Sequence, residues 1–178
     1  MRWTVHGERS IYTSDWVGLS LVDIEVPDGP RFEHHVVRFA RSAAGVVVHH
    51  PDRGVLLLWR HRFITDRWGW EIPGGGVEAG EEPAAAARRE LTEETGYVVD
   101  RLEPLLSYHP SNGTTDQLFH IFLGFESQRV AEPTDPGESE RIEWLPVDRL
   151  LPEIEAGRMV DGLGLTALLY ALVQGRLG

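Results

Sequence analysis

Gly75 to Tyr97 reads GGVEAGEEPAAAARRELTEETGY, a glycine-rich turn running into a short helix crowded with carboxylates. From Ala84 to Thr95 every residue except threonine is a strong helix former. Pro83 suits the first helical turn, where a missing N–H costs nothing, and Gly96 suits the left-handed stop position. Glu90, Glu93 and Glu94 are spaced to share one side of that helix. Ala84, Ala87 and Leu91 form an apolar stripe beside them that can pack on a sheet. Like charges at these spacings repel by roughly a few tenths of a kcal/mol per pair, more when partly buried. Held against a sheet, the three acids call for a cation between them, and oxygen ligands alone select Mg2+ or Mn2+. On spacing alone, a surface helix whose acids pair with Arg88 and Arg89 accounts for the stretch equally well.

The chain on either side offers that helix a sheet. Val17 to Val26 and Phe32 to Phe39 read as strands joined by the turn Pro27-Asp28-Gly29-Pro30, with a shorter strand at Ser10 to Tyr12. Ala44 to Val48 and Val55 to Arg60 carry near-continuous valine and leucine runs, as strands buried on both faces do. Trp70 to Ile72 leads into Pro73-Gly74-Gly75-Gly76. Val98 to Tyr108, Gln117 to Phe125 and Arg141 to Val147 read as further strands. Two C-terminal helices follow, the last from Asp161 to Gln174, with Leu163, Leu165, Leu168, Leu169 and Leu172 to cover a sheet face. Strands around helices in this order predict an α/β fold, a mixed sheet between helices.

At 178 residues the chain is long enough for one domain with a real core, and it has 42% hydrophobic residues without a run of transmembrane length. Its first residues lack the apolar segment of a signal peptide, and the absence of cysteine suits a cytoplasmic protein. A formal charge of −11 argues against non-specific nucleic-acid binding. A small anion can still bind where local arginines and a metal override the net charge. His34-His35 and His49-His50 are adjacent pairs whose side chains leave a strand on opposite faces, so neither pair chelates one zinc ion.

Gly75, Glu81, Arg89, Glu90, Leu91, Glu93, Glu94 and Gly96 stand at the spacings of the Nudix box, G-x5-E-x7-R-E-U-x-E-E-x-G-U, where U is bulky and apolar. Tyr97 departs from it, an aromatic where an aliphatic residue is usual. The chain therefore resembles the Nudix hydrolases, which cleave nucleoside diphosphates linked to another group. The resemblance implies an α/β/α sandwich with a mixed sheet over residues 41–178. Residues 1–40 would be an added β extension of the ADP-ribose pyrophosphatase branch, forming the interface of a homodimer and part of the nucleotide pocket.

By the same resemblance Glu90, Glu94 and a backbone oxygen at Gly74 hold Mg2+ (or Mn2+), with Glu81 a support or further ligand and Arg89 orienting the glutamates. Glu138-Ser139-Glu140 resembles the E-x-E that this branch places on a mobile loop over the metals. There Glu138 is the candidate base and Glu140 a ligand; Glu93 is the alternative base. Arg60 and Arg62 are candidates for substrate phosphates, or else strand-end surface charges. Trp16 can stack on a base, or serve a core or interface. The loop Tyr108 to Gly113 puts Asn112 where the ADP-ribose enzymes usually carry proline, which brings other nucleoside diphosphate sugars into consideration. The expected activity is hydrolysis of ADP-ribose or such a sugar nucleotide to a nucleoside monophosphate and a sugar phosphate. The alternatives are hydrolysis of nucleoside triphosphates or dinucleoside polyphosphates, and a non-catalytic nucleotide sensor.

Overall fold

The computed structural model describes residues 1–134 and 137–178, which fall into two units. The first comprises Met1–Ser42 with His109–Leu118. It is an antiparallel sheet of three strands, β1 (Thr4–Thr13), β2 (Val17–Glu25) and β3 (Arg31–Phe39), in that order. The sequence suggested a hairpin plus a short strand, but β1 is a full third strand of ten residues. It escapes a pattern-based reading because every one of its residues is exposed, so no apolar-polar alternation marks it. Ladder hydrogen bonds and cross-strand ion pairs hold it, including Glu8 with Arg38 at 2.7 Å and Arg9 with Glu33 at 2.8 Å. The segment His109–Leu118 lies along β3. Val37 N–H donates to Thr114 O at 2.8 Å, and the Phe39 N–H donates to the Asp116 carboxylate at 2.9 Å.

The second unit, Ala43–Tyr108 with Phe119–Gly178, carries the helices. Its strands are β4 (Ala43–His50), β5 (Gly54–Arg62), β6 (Arg67–Glu71), β7 (Gly74–Gly76), β8 (Tyr97–Tyr108), β9 (Phe119–Arg129) and β10 (Arg141–Leu145). The sheet order is β10-β5-β4-β9-β8, with β6 pairing β5 and β7 pairing β4. β4 and β9 run parallel and the other pairs antiparallel, so the sheet is mixed.

Side-chain parity on the buried strands explains the layering. Val46, Val48 and Leu56 pack with Ala87 and Leu91 of helix α1 (Pro83–Thr95). Val47, Val55 and Leu57 point the other way, onto Leu150 of α2 (Val147–Glu155) and Ala167, Leu168 and Ala171 of α3 (Gly162–Val173). The result is α1 on one face and α2 with α3 on the other, an α/β/α sandwich. Of the five leucines expected to cover the sheet, Leu163, Leu168 and Leu172 pack on the core, whereas Leu169 is 37% exposed on the outer side. Pro146 ends β10 two residues earlier than the sequence suggested, because it has no N–H for the ladder and it caps α2 instead.

Candidate active site

α1 is fixed to the sheet by contacts that do not involve its acids. Leu91 is fully buried, and Arg88 donates to the backbone carbonyls of Val99 and Asp100 on β8, drawing it away from the acids. Gly96 closes the helix in the left-handed conformation (φ 71°), its N–H donating to Thr92 O at 2.8 Å. A Cβ there would stand 2.0 Å from Ala131 O, so glycine is required both by conformation and by space. Tyr97 next to it packs on the core through its ring, and its hydroxyl accepts from Trp144 Nε1 at 3.3 Å. An aromatic residue thus serves the apolar position while its polar end reaches a partner.

Arg89 gathers the acids on the outer part of the helix. Its guanidinium donates twice to Glu81 at 3.0 Å, to Glu90 at 2.7 Å, to Glu93 at 3.0 Å and to Gly76 O at 2.9 Å. These partners raise the arginine's pKa, and Arg89 in turn holds the Glu81 carboxyl below its ordinary value. Glu94 lies deeper, at 4% exposure. It accepts from Arg60 Nη2 at 2.6 Å and from the Gly74 N–H at 2.8 Å. Burial pushes its carboxyl up to about 7, against the downward pull of Arg60 and the Gly74 N–H, and the neighbouring Glu90 adds to the rise. Burial also raises Glu90. The glycine floor brings backbone against this carboxylate: a Cβ on Gly75 would stand 2.5 Å from Glu90 Cδ.

A second buried carboxylate, Glu71 at the end of β6, completes the cluster. Arg62 grips it through Nε at 2.9 Å and Nη2 at 2.6 Å, and Arg60 Nε stands 3.8 Å from it. Arg60 is itself 3% exposed and also faces Glu138, with Nη1 3.8 Å from the carboxylate. A hollow of about 360 Å3 opens beside Arg62, lined among others by Thr65, Arg67, Glu71 and Asp161.

Such a pairing of a glycine turn with a buried, acid-bearing helix is matched by the family model described as the NUDIX domain, over residues 39–161. The chain belongs to the Nudix hydrolases. It is 41% identical over 172 residues to a CMP-5'-(N-acetyl-N-hydroxy-3-aminopropyl)phosphonate hydrolase of Streptomyces rubellomurinus, covering 95% of this chain and 83% of that protein. It is 30% identical over 166 residues to an ADP-ribose pyrophosphatase of Bacillus subtilis, covering 92% and 89%. A solved structure described as an ADP compounds hydrolase superposes with a TM-score of 0.86 at 19% identity, over 99% of this chain and 96% of that one. That likeness speaks for the fold.

In this Nudix hydrolase the residues singled out from the sequence fall into three places. Glu81, Arg89, Glu90, Glu93, Glu94 and Gly74 come together around α1. Arg60 and Arg62 join them, as partners of buried carboxylates rather than as free strand-end charges. Glu138 faces Arg60, while Glu140 is exposed with its backbone N–H on Trp59 O at 2.9 Å. Trp16 belongs to the N-terminal unit, where it is 76% exposed and Arg41 sits 5.7 Å from its ring centre. Of the loop expected to be mobile, Asp135 and Pro136 lie outside the described residues. On either side, Thr134 N–H is bonded to Glu93 O at 2.9 Å and Glu140 to Trp59. Glu71 was missed from the sequence. Its signal was an acid inside a run of buried apolar residues just before the glycine turn.

Whether these residues suit a divalent cation can be judged from the donors. Among the described residues no three acidic or histidine side chains already converge as a preformed cage. Burial nevertheless raises both Glu90 and Glu94 beside the glycine backbone, Glu90 adds to the rise of Glu94, and every available donor is oxygen. Neighbouring acids whose ionised forms are disfavoured by desolvation gain most from a shared hard cation, so the set fits Mg2+ or Mn2+.

Proposed function

We propose that this chain is a Mg2+- or Mn2+-dependent Nudix pyrophosphatase. On this reading it hydrolyses the diphosphate linkage of ADP-ribose or a related nucleoside diphosphate sugar to a nucleoside monophosphate and a sugar phosphate. The observation that carries the reading is the buried Glu94 carboxylate beside Glu90 on the glycine floor. The Bacillus subtilis relative, an ADP-ribose pyrophosphatase along nearly its whole length, supports the substrate class.

Glu90, Glu94 and the Gly74 carbonyl would hold the cation, with Glu140 and Glu81 as outer ligands or supports. When bound, the cation neutralises the diphosphate and lowers the pKa of the attacking water. Arg89 keeps Glu81, Glu90 and Glu93 in register, so the acids meet the substrate preorganised. Water adds to one phosphorus, the bond from that phosphorus to the bridging oxygen breaks, and the water's proton passes to a carboxylate. Glu138 takes that role in this reading, since its side chain is exposed and faces the cluster across Arg60. Glu93 is the alternative, already engaged by Arg89. Arg60 and Arg62 provide positive charge on the phosphate side. Residues 1–40 are the extension through which two copies pair, and residues 41–178 the hydrolase domain. The exposed Trp3, Ile11 and Tyr12 on and beside β1 support such an interface. Trp16 stacks on the base.

A second reading, hydrolysis of a CMP-linked phosphonate, is favoured by the 41% identity to the Streptomyces hydrolase and by Asn112 in place of proline. Incubating the full chain with Mg2+ and ADP-ribose, other nucleoside diphosphate sugars, nucleoside triphosphates or CMP-linked phosphonates, then separating the products, decides between the substrates. Glu94→Gln should lose at least about two orders of magnitude in turnover while staying folded. Preference for triphosphates, or a fully active Glu94→Gln, would overturn the proposal.

A further inference from the structure

Four charged side chains stand in a row behind the glycine turn. From the hollow inwards they are Arg62, Glu71, Arg60 and Glu94, joined by contacts of 2.6 Å, 3.8 Å and 2.6 Å. Two signs alternate, so the row is neutral within itself. Arg60 and Arg62 are two residues apart on β5 and share a face of the sheet, and Glu71 enters between them from β6, where it pairs in register with Leu58. Glu71 and Arg60 are both more than nine-tenths buried, and Arg60 Nε finds no hydrogen-bond acceptor. Hydrogen bonding therefore does not complete the position of the Arg60 guanidinium. It is left to the charges around it, the buried Glu71 and Glu94 on its two sides and the exposed Glu138 3.8 Å from Nη1.

We propose that Glu71 is a positioning residue that shares the charge of Arg60 and occupies Arg62, and so keeps the Glu94 carboxylate available to a cation. The inference rests on the reading of Glu94 as a cation ligand. Without the charge on Glu71, Arg60 has Glu94 as its principal partner. Arg62, deprived of its forked acceptor, turns to the same carboxylate. Two guanidiniums then compete with the cation for one set of oxygens. Removing Arg62 has the opposite effect, because Glu71 turns wholly to Arg60 and draws it off Glu94.

The test is titration of Mn2+ alone into the full chain by calorimetry, without substrate, with circular dichroism as the check on folding. Glu71→Gln should weaken Mn2+ binding at least tenfold, and Glu71→Asp, which keeps the charge, should stay within threefold of wild type. In an Arg60→Gln, Arg62→Gln background the further change Glu71→Gln should alter the affinity less than twofold, since both residues through which Glu71 acts are gone. A tenfold loss that persists in that background would mean that Glu71 acts directly, and would overturn the proposal, as would unchanged binding in Glu71→Gln. Should the buried substitutions unfold the chain, Arg62→Gln decides. Binding at least threefold tighter supports the proposal, and unchanged or weaker binding refutes it. Wild-type protein that binds no Mn2+ would instead sink the cation site itself, whereas normal wild-type binding with indifferent variants sinks only the role of Glu71.

Discussion

Glu153 on α2 should stabilise the fold through its charge, and the size of the effect follows from its surroundings. The side chain is buried and accepts from Arg158 Nε at 2.5 Å, Arg158 Nη2 at 2.8 Å, Arg149 Nη2 at 3.2 Å and Trp70 Nε1 at 3.2 Å. Arg158 above all holds the carboxyl at about 2, against an ordinary value of 4.5. A depressed folded-state pKa means stability that is complete above the unfolded value and is lost as pH falls toward the folded one. The linkage corresponds to about 3 kcal/mol at pH 7, an upper figure because both arginines are half in solvent and screened. Of this, about 1.4 kcal/mol should be gone at pH 3.5. Urea unfolding of wild type and Glu153→Gln at pH 7, 5 and 3.5 measures it. The gap between them should be largest and level from pH 7 to above 5, and narrower by roughly 1 kcal/mol or more at pH 3.5. A gap that stays constant over this range, or a variant as stable as wild type at pH 7, would refute the reasoning. The site shares in the consequence, since Trp70 is bonded to Glu153 and is followed directly by Glu71.

Gly75→Ala should displace the Glu90 carboxylate, which lies 2.5 Å from the new Cβ, and lower kcat/KM by about tenfold or more while thermal unfolding hardly changes; a variant with wild-type kinetics would separate the glycine floor from the chemistry. Single-turnover rates locate the base: Glu138→Gln should depress the chemical step far more than KM, and a Glu138 variant that keeps its rate beside an inactive Glu93→Gln would move the base onto α1. Light scattering at micromolar concentration should report a dimer, and a monomer there removes the pairing through residues 1–40.

The acidic helix could be read from the residues because its information is local. Pro83, Gly96 and the spacing of Glu90, Glu93 and Glu94 all lie within a few helical turns, where geometry depends on sequence separation alone. The layered fold was readable for a related reason: continuous apolar runs at Val46 to Val48 and Leu56 to Leu58 mark strands covered on both faces. Strand β1 was only partly readable, since a strand held by ladder bonds and ion pairs on an exposed sheet leaves no hydrophobic period behind. Arg60 and Arg62 were placed near the site from the sequence. Which way their charges are directed was decided by Glu71 and Glu94, which arrive from a different strand and from the helix. Nothing in the local sequence of β5 encodes those partners. The segment His109–Leu118 is similar: its polar composition shows a loop, while its place along β3 depends on a pairing with residues more than seventy positions away. Periodicity fixes what a stretch becomes and which of its faces is apolar. Burial and the pairing of charges depend on contacts distant in sequence, so the partner of each buried charge was settled only when the chain folded.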